Sequence, residues 1–90
     1  MIVAVLGADT ARELLGGFDE FDEIVVLEPS VDELERLIAE LADPRLDYLL
    51  GELPVLPLPD ASIDLLVGAD PADAEVARVL RADGRAEPAA

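Results

Sequence analysis

Ninety residues make one small domain, and this chain sets 21 acidic against six basic side chains for a formal charge of -15. All six bases are arginine, and Lys, His, Cys, Asn, Gln and Trp are absent. These absences exclude disulfides, iron–sulfur and thiolate zinc sites, imidazole ligands, His-based triads, Schiff bases and P-loops, and the acid excess repels nucleic acid.

Hydrophobic residues still make up 52% of the chain, which takes it out of the regime in which high charge forbids a core. With only 3% aromatic residues, that core must be packed from Val, Leu, Ile and Ala. Met1–Leu6 is an unbroken apolar run ending at Gly7, the pattern of a strand buried on both faces. Thr10 followed by Glu13 reads as a capping box, so a short helix is expected from there, with Ala11, Leu14 and Leu15 inward and Gly16-Gly17 as its stop. Ile24–Leu27 is a second strand. Ser30 and Glu33 form a second capping box, opening a helix whose Val31, Leu34, Leu37, Ile38 and Leu41 share one face. Leu46–Leu50 is a third strand, and Pro54, Pro57 and Pro59 hold the following stretch as an extended loop. Ile63–Val67 is a fourth strand. Asp70 with Pro71 behind it is expected to cap a last helix, striped by Val76, Val79 and Leu80 and ended by Asp83-Gly84. The alternation predicts an α/β domain over residues 1–85, a parallel sheet with right-handed crossovers in two or three layers, and a loose tail at 86–90.

Three segments together resemble the class I S-adenosylmethionine-dependent methyltransferases of the small-molecule branch. They are the strand and turn Val3–Ala11, the strand Val25–Leu27 ending in Glu28-Pro29-Ser30, and the run from Gly51-Glu52 through Leu56–Val67 to Glu75–Arg85. The last piece is similar to the family's helix end, glutamate-x-x-arginine-valine-leucine-arginine-proline-glycine-glycine, with Ala82-Asp83-Gly84 in the last three places. The resemblance implies a Rossmann-like sheet of four strands in the order 3-2-1-4 with about three helices. It also implies a cofactor site at Gly7, Asp9, Glu28, Gly51 and Glu52, with S-adenosylmethionine as the ligand. Gly7 to Glu28 matches the ~20 residues between the first turn and the ribose-binding acid of such folds. Glu28 is then the acceptor for the ribose hydroxyls, and Glu52 stands where the family has an acid near the adenine amino group. As residues alone, both also read as solvent-facing acids.

The turn departs from the family's pattern. Val5 replaces an acid, and Asp9 and Ala11 replace glycines. Asp9 disfavours a pyrophosphate, which argues against NAD, FAD and ATP, and Asp9 and Thr10 are both explained as helix caps. Asp70, just past the fourth strand, is the candidate catalytic group, a general base if burial raises its pKa, and otherwise a cap. Asp19, Glu20, Asp22 and Glu23 form an acidic run without a cation-loop pattern, so no metal is expected.

The resemblance covers the cofactor half, and most of the acceptor half has no counterpart. The expected function is an S-adenosylmethionine-binding, methyltransferase-like domain, weakly active or inactive on its own. The alternative is a non-catalytic scaffold or interaction module. Without a fifth strand the fourth is an exposed edge, so a homodimer or a protein partner is expected through the last strand or helix. No basic leader or membrane span is visible, which reads as cytoplasmic. The acidity is explained equally by salt adaptation and by codon bias.

Overall fold

Apolar runs such as Ile2–Leu6 and Ile24–Leu27 cannot leave a face to water, so they must sit in a sheet covered on both sides. The computed structural model describes residues 1–14, 21–41, 44–53, 55–70 and 72–88. Its elements are β1 (Ile2–Leu6), α1 (Ala8–Leu14), β2 (Glu23–Glu28), α2 (Val31–Glu40), β3 (Leu46–Leu50), β4 (Ile63–Val67), α3 (Ala74–Val79) and β5 (Leu80–Glu87). The strands form one parallel sheet in the order β3-β2-β1-β4-β5. The 3-2-1-4 core is as expected. The fifth strand is a correction: what reads as a helix end and a tail is an edge strand that covers β4, and it runs to Glu87.

Alternate side chains divide the core into two layers. Val3, Val5, Ile24, Val26, Leu46, Leu65 and Val67 pack with Ala8, Ala11 and Leu37, under α1 and α2. Ala4, Val25, Leu27, Ile63 and Leu66 pack with Val76 and Val79 of α3 and with Leu56 and Leu58 of the proline-rich loop. Ile63 and Leu65 fall in different layers although two residues apart, at the point where the β4·β5 register shifts. The face left thinly covered by a single short helix is therefore closed by the Leu53–Leu58 loop, and the structure is three-layered. Among the described residues no helix is long and apolar enough to cross a membrane.

Three local expectations are corrected. Helix α1 starts at Ala8, so Thr10 lies inside its first turn and caps nothing. On α2, Ser30 is the cap as expected, its hydroxyl accepting from Glu33 N–H, and Leu34 and Leu37 are buried. Val31 and Ile38, however, are 52% and 49% exposed. They sit together on the flank of a stripe whose centre is Leu34, Leu37 and Leu41, a consequence of 100° per residue. Asp70 does not cap α3; Asp73 does, accepting from Glu75 and Val76 N–H. Leu15, the Gly16-Gly17 stop, Asp19, Glu20, Pro54 and Pro71 lie outside the described residues.

Near the amino ends of β2 and β3, Glu23 shares a hydrogen bond with Asp47. That bond, then partial burial, then the charge of Asp47, raise the Glu23 carboxyl above its ordinary value. A raised carboxyl stabilises the native state while protonated, and that stability is lost as pH rises through the raised value. Asp47→Asn should therefore raise Tm at neutral pH and leave it unchanged in acid. Melts showing equal effects at both ends of that range would refute the shared proton.

Candidate functional site

The carboxyl ends of parallel strands are where an open α/β sheet can hold a ligand, because helix amino termini converge there. Gly7 closes β1 with φ +97°, a conformation costly for any residue with a Cβ. Its N–H donates to Leu27 O at 2.8 Å, and its carbonyl accepts from Ala11 N–H at 3.1 Å, so the strand passes straight into α1. A Cβ placed on Gly7 would have Thr10 Oγ1, 3.8 Å away, as its nearest neighbour; the space over the turn is open. Gly68 ends the adjacent β4 with φ +108°.

Glu28 ends β2 beside this turn. At 9% exposure it is the one buried charged side chain among the described residues. Its Oε1 accepts from Ala8 N–H at 3.0 Å and its Oε2 from Ser30 N–H at 2.8 Å. It therefore caps α1 from twenty residues away and orders the turn into α2. A carboxylate offers about four acceptor sites, so about two stay available to a ligand. The fold brings Gly7 and Glu28 together, and Gly51 adjoins Glu28.

Gly51 follows β3, its N–H donating to Glu28 O at 3.2 Å. A Cβ there would lie 2.6 Å from Pro57 Cδ, so the glycine lets the proline-rich loop close over the strand end. Glu52 is exposed on the next turn, bridged by its backbone to Val55. Asp9 turns away from the crevice. Its carboxylate pairs with Arg12 at 2.9 Å on the exposed side of α1, and Arg12 in turn reaches Glu40 of α2 at 2.8 Å. Asp70 is exposed and accepts from Ala72 N–H, so the burial that a general base would need is absent.

The residues that build the roof were quoted in the resemblance but given no role by the sequence. Arg78 of α3 donates to Leu56 O, Leu58 O, Asp60 and Glu75. Glu75 also accepts from Leu56 N–H at 2.6 Å. The Arg78 hydrogen bond, then the Leu56 N–H, pull the Glu75 carboxyl down to about 2. Glu75 and Arg78 stand at i and i+3, a spacing that signals a helix-surface pair but not that it grips a loop.

A cavity of about 230 Å³ opens elsewhere, lined by Met1, Phe21, Asp64, Leu65, Asp83 and Arg85 at the amino end of the sheet. It carries none of the candidate residues. Strand polarity and the glycine turn favour the opposite end, where helix amino termini, and not the carbonyls of helix carboxyl termini, meet a ligand.

No family model matches the chain, and no curated protein matches it in sequence. Solved structures do. A chain from the complex of the Haloferax volcanii Trm112 methyltransferase activator with its methyltransferase superposes with a TM-score of 0.76 at 24% identity. That match covers 94% of this chain and 42% of the other. The YcgJ protein of Bacillus subtilis gives 0.75 at 26% identity over 94% of this chain and 42% of its own. A SAM-dependent methyltransferase from Aquifex aeolicus gives 0.64 at 17% identity, over 90% and 51%. The chain thus has the fold of these proteins over about two fifths to one half of their length.

Proposed function

We infer from the shared methyltransferase fold, and from the residues at its carboxyl-terminal crevice, that this domain binds S-adenosylmethionine. The observation that carries the reading is the Glu28 carboxylate, held rigidly at the end of β2 beside an open glycine turn. Because two backbone N–H groups fix its orientation, it can accept ribose hydroxyls without first being ordered. Gly7 leaves room for the ligand to approach the backbone, and Glu52, exposed on the turn after β3, is the acceptor this reading assigns to the adenine amino group. The cofactor, when bound, supplies an activated methyl group on sulfonium. Its positive charge suits an acidic chain that would repel a phosphate. Among the described residues, Asp70 is the titratable group just beyond β4, and it is engaged in its own turn. Methyl transfer by this domain alone is therefore weak or absent, and productive transfer depends on a second chain. The Haloferax volcanii structure, a methyltransferase with a protein activator, supports that dependence.

A scaffold reading is favoured by one fact: both Glu28 oxygens already serve the domain's own backbone. Calorimetric titration separates the two. S-adenosylmethionine and S-adenosylhomocysteine should both bind, Glu52→Ala should weaken them severalfold without changing Tm, and Glu28→Gln should weaken them at least tenfold. Absence of heat at millimolar ligand with folded protein would leave the scaffold reading.

A further inference from the structure

We propose, resting on the cofactor reading above, that Glu75 and Arg78 are positioning residues for base selectivity. By latching the loop after β3 they direct the Glu52 carboxylate, so that the site takes a 6-aminopurine and rejects a 6-oxopurine.

Among the described residues nothing pairs with the exposed Glu52 carboxylate, so its backbone alone sets the region it can reach. That backbone is tied on both sides. Gly51 N–H donates to Glu28 O at 3.2 Å, which fixes the residue before Glu52 to the end of β2. Glu52 O accepts from Val55 N–H at 3.1 Å, and the two residues form an antiparallel bridge. Val55 is 72% exposed, so burial does not hold it. Its anchor is the next residue. Leu56 N–H donates to Glu75 Oε2 at 2.6 Å, and Leu56 O accepts from Arg78 Nη2 at 3.0 Å. Arg78 Nη1 reaches on to Leu58 O at 2.9 Å and Asp60 Oδ1 at 2.6 Å. The buried Leu56 and Leu58 side chains draw the loop onto the core, but apolar burial has no direction. The hydrogen bonds on either side of Leu56 decide which way its backbone, and so the bridge to Glu52, faces.

Among the described residues neither Glu75 nor Arg78 makes a hydrogen bond to Gly7, Glu28 or Glu52. Their effect on a ligand therefore passes through the loop backbone. The Arg78 hydrogen bond, then the Leu56 N–H, hold the Glu75 carboxyl at about 2, so the latch stays charged at any pH used for a binding measurement.

Direction matters because the two purines differ along one edge. The 6-amino group of adenine donates, whereas the 6-oxo group of hypoxanthine accepts and the adjacent ring nitrogen carries the proton. A carboxylate held opposite the 6-position pairs with adenine and meets a lone pair of hypoxanthine. On a loosened loop the same carboxylate can shift to the ring N–H and accept from either base.

Calorimetry with S-adenosylhomocysteine and S-inosylhomocysteine, which differ only along that edge, tests the assignment. The wild-type chain should bind the adenosine form about tenfold tighter, the scale of one hydrogen bond to a charged group. Arg78→Ala, Glu75→Gln and Glu52→Ala should each bring the ratio of the two dissociation constants to about one. In the Glu52→Ala background, Arg78→Ala should leave that ratio where it is. Lost stability lowers the folded fraction for both ligands alike and cancels in the ratio. Ile24→Val, which loosens the opposite layer of the core, should therefore keep the full preference. Circular dichroism at the titration temperature establishes which latch variants are folded, and Glu75→Gln, the milder change, decides if Arg78→Ala is not. A wild-type ratio near one, a preference that survives in a folded latch variant, or its loss in Ile24→Val overturns the proposal and leaves cofactor binding standing. Absence of heat with both ligands overturns the cofactor reading itself.

Discussion

Gly68→Ala is expected to destabilise the domain by about 3 kcal/mol or more, against a total of roughly 5–13 kcal/mol for a chain of this length. Two costs combine. The residue holds φ +108°, which an L side chain rarely adopts, and its Cβ would stand 2.9 Å from Leu6 O and 3.1 Å from Leu6 Cβ. The obstacle is largely backbone of the central strand, which cannot rotate aside. Gly7→Ala is the natural control. It meets the same kind of conformational strain at φ +97° but open space, so it should cost only about 1–2 kcal/mol. Urea denaturation of both variants reads the difference directly. Equal midpoints would mean that the close approach of β4 to β1 at this point is not as tight as described.

The second large effect belongs to Arg78. Arg78→Ala removes donors from two loop carbonyls and leaves Glu75 and Asp60 without their cation. Tm should fall by roughly 10 °C, and the loop around Leu53–Asp60 should become the first site of limited proteolysis. Arg78→Lys should not restore the loss, because a point charge cannot replace a fork that serves four acceptors in different directions. The same cluster sets the acid response. The Glu75 carboxyl is depressed to about 2, so the stability it contributes is present above its ordinary value and is lost as pH falls from there toward 2. Melts of Glu75→Gln should show a flatter dependence over that interval. An unchanged slope would place the acid sensitivity in other carboxylates.

The strands were readable because burial on both faces forces short apolar blocks, unbroken in β1 and in Ile24–Leu27 of β2 and interrupted by a single acid, Asp47 or Asp64, in β3 and β4. Strand β5 was not, since Arg81-Ala82-Asp83-Gly84-Arg85 is exposed edge with neither alternation nor a block, and its pairing with β4 is a tertiary fact. The start of α1 escaped for a related reason. A local capping box at Thr10 and Glu13 competes in the sequence with a cap supplied by Glu28 from the next strand, and the distant cap wins because it is buried and charge-assisted. Asp70 and Asp73 were both capable of capping α3. The choice was made where Asp73 reaches two N–H groups and Asp70 reaches one in the preceding turn. Of the candidate site, Gly7 and Glu28 were named through the resemblance, and the structure shows them adjacent at the ends of β1 and β2. The Glu75–Arg78 grip on the roof was not legible, because its acceptors are backbone carbonyls that carry no sequence signature.

The place of β1 between β2 and β4 has a consequence for how the chain acquires its structure. Pairing of β1 with β2 closes about twenty residues, whereas pairing of β1 with β4 joins Val3 to Leu65 and Val5 to Val67. During synthesis or refolding, β1, β2 and β3 can assemble first, and the inner flank of β1 then stays open until β4 arrives. Closing that longer loop costs more chain entropy than the first pairing, and until it closes an apolar strand later buried at the centre of the sheet is presented to any neighbouring chain. The formal charge of -15 on every copy acts against such contacts, because like-charged chains repel before they fold as well as after.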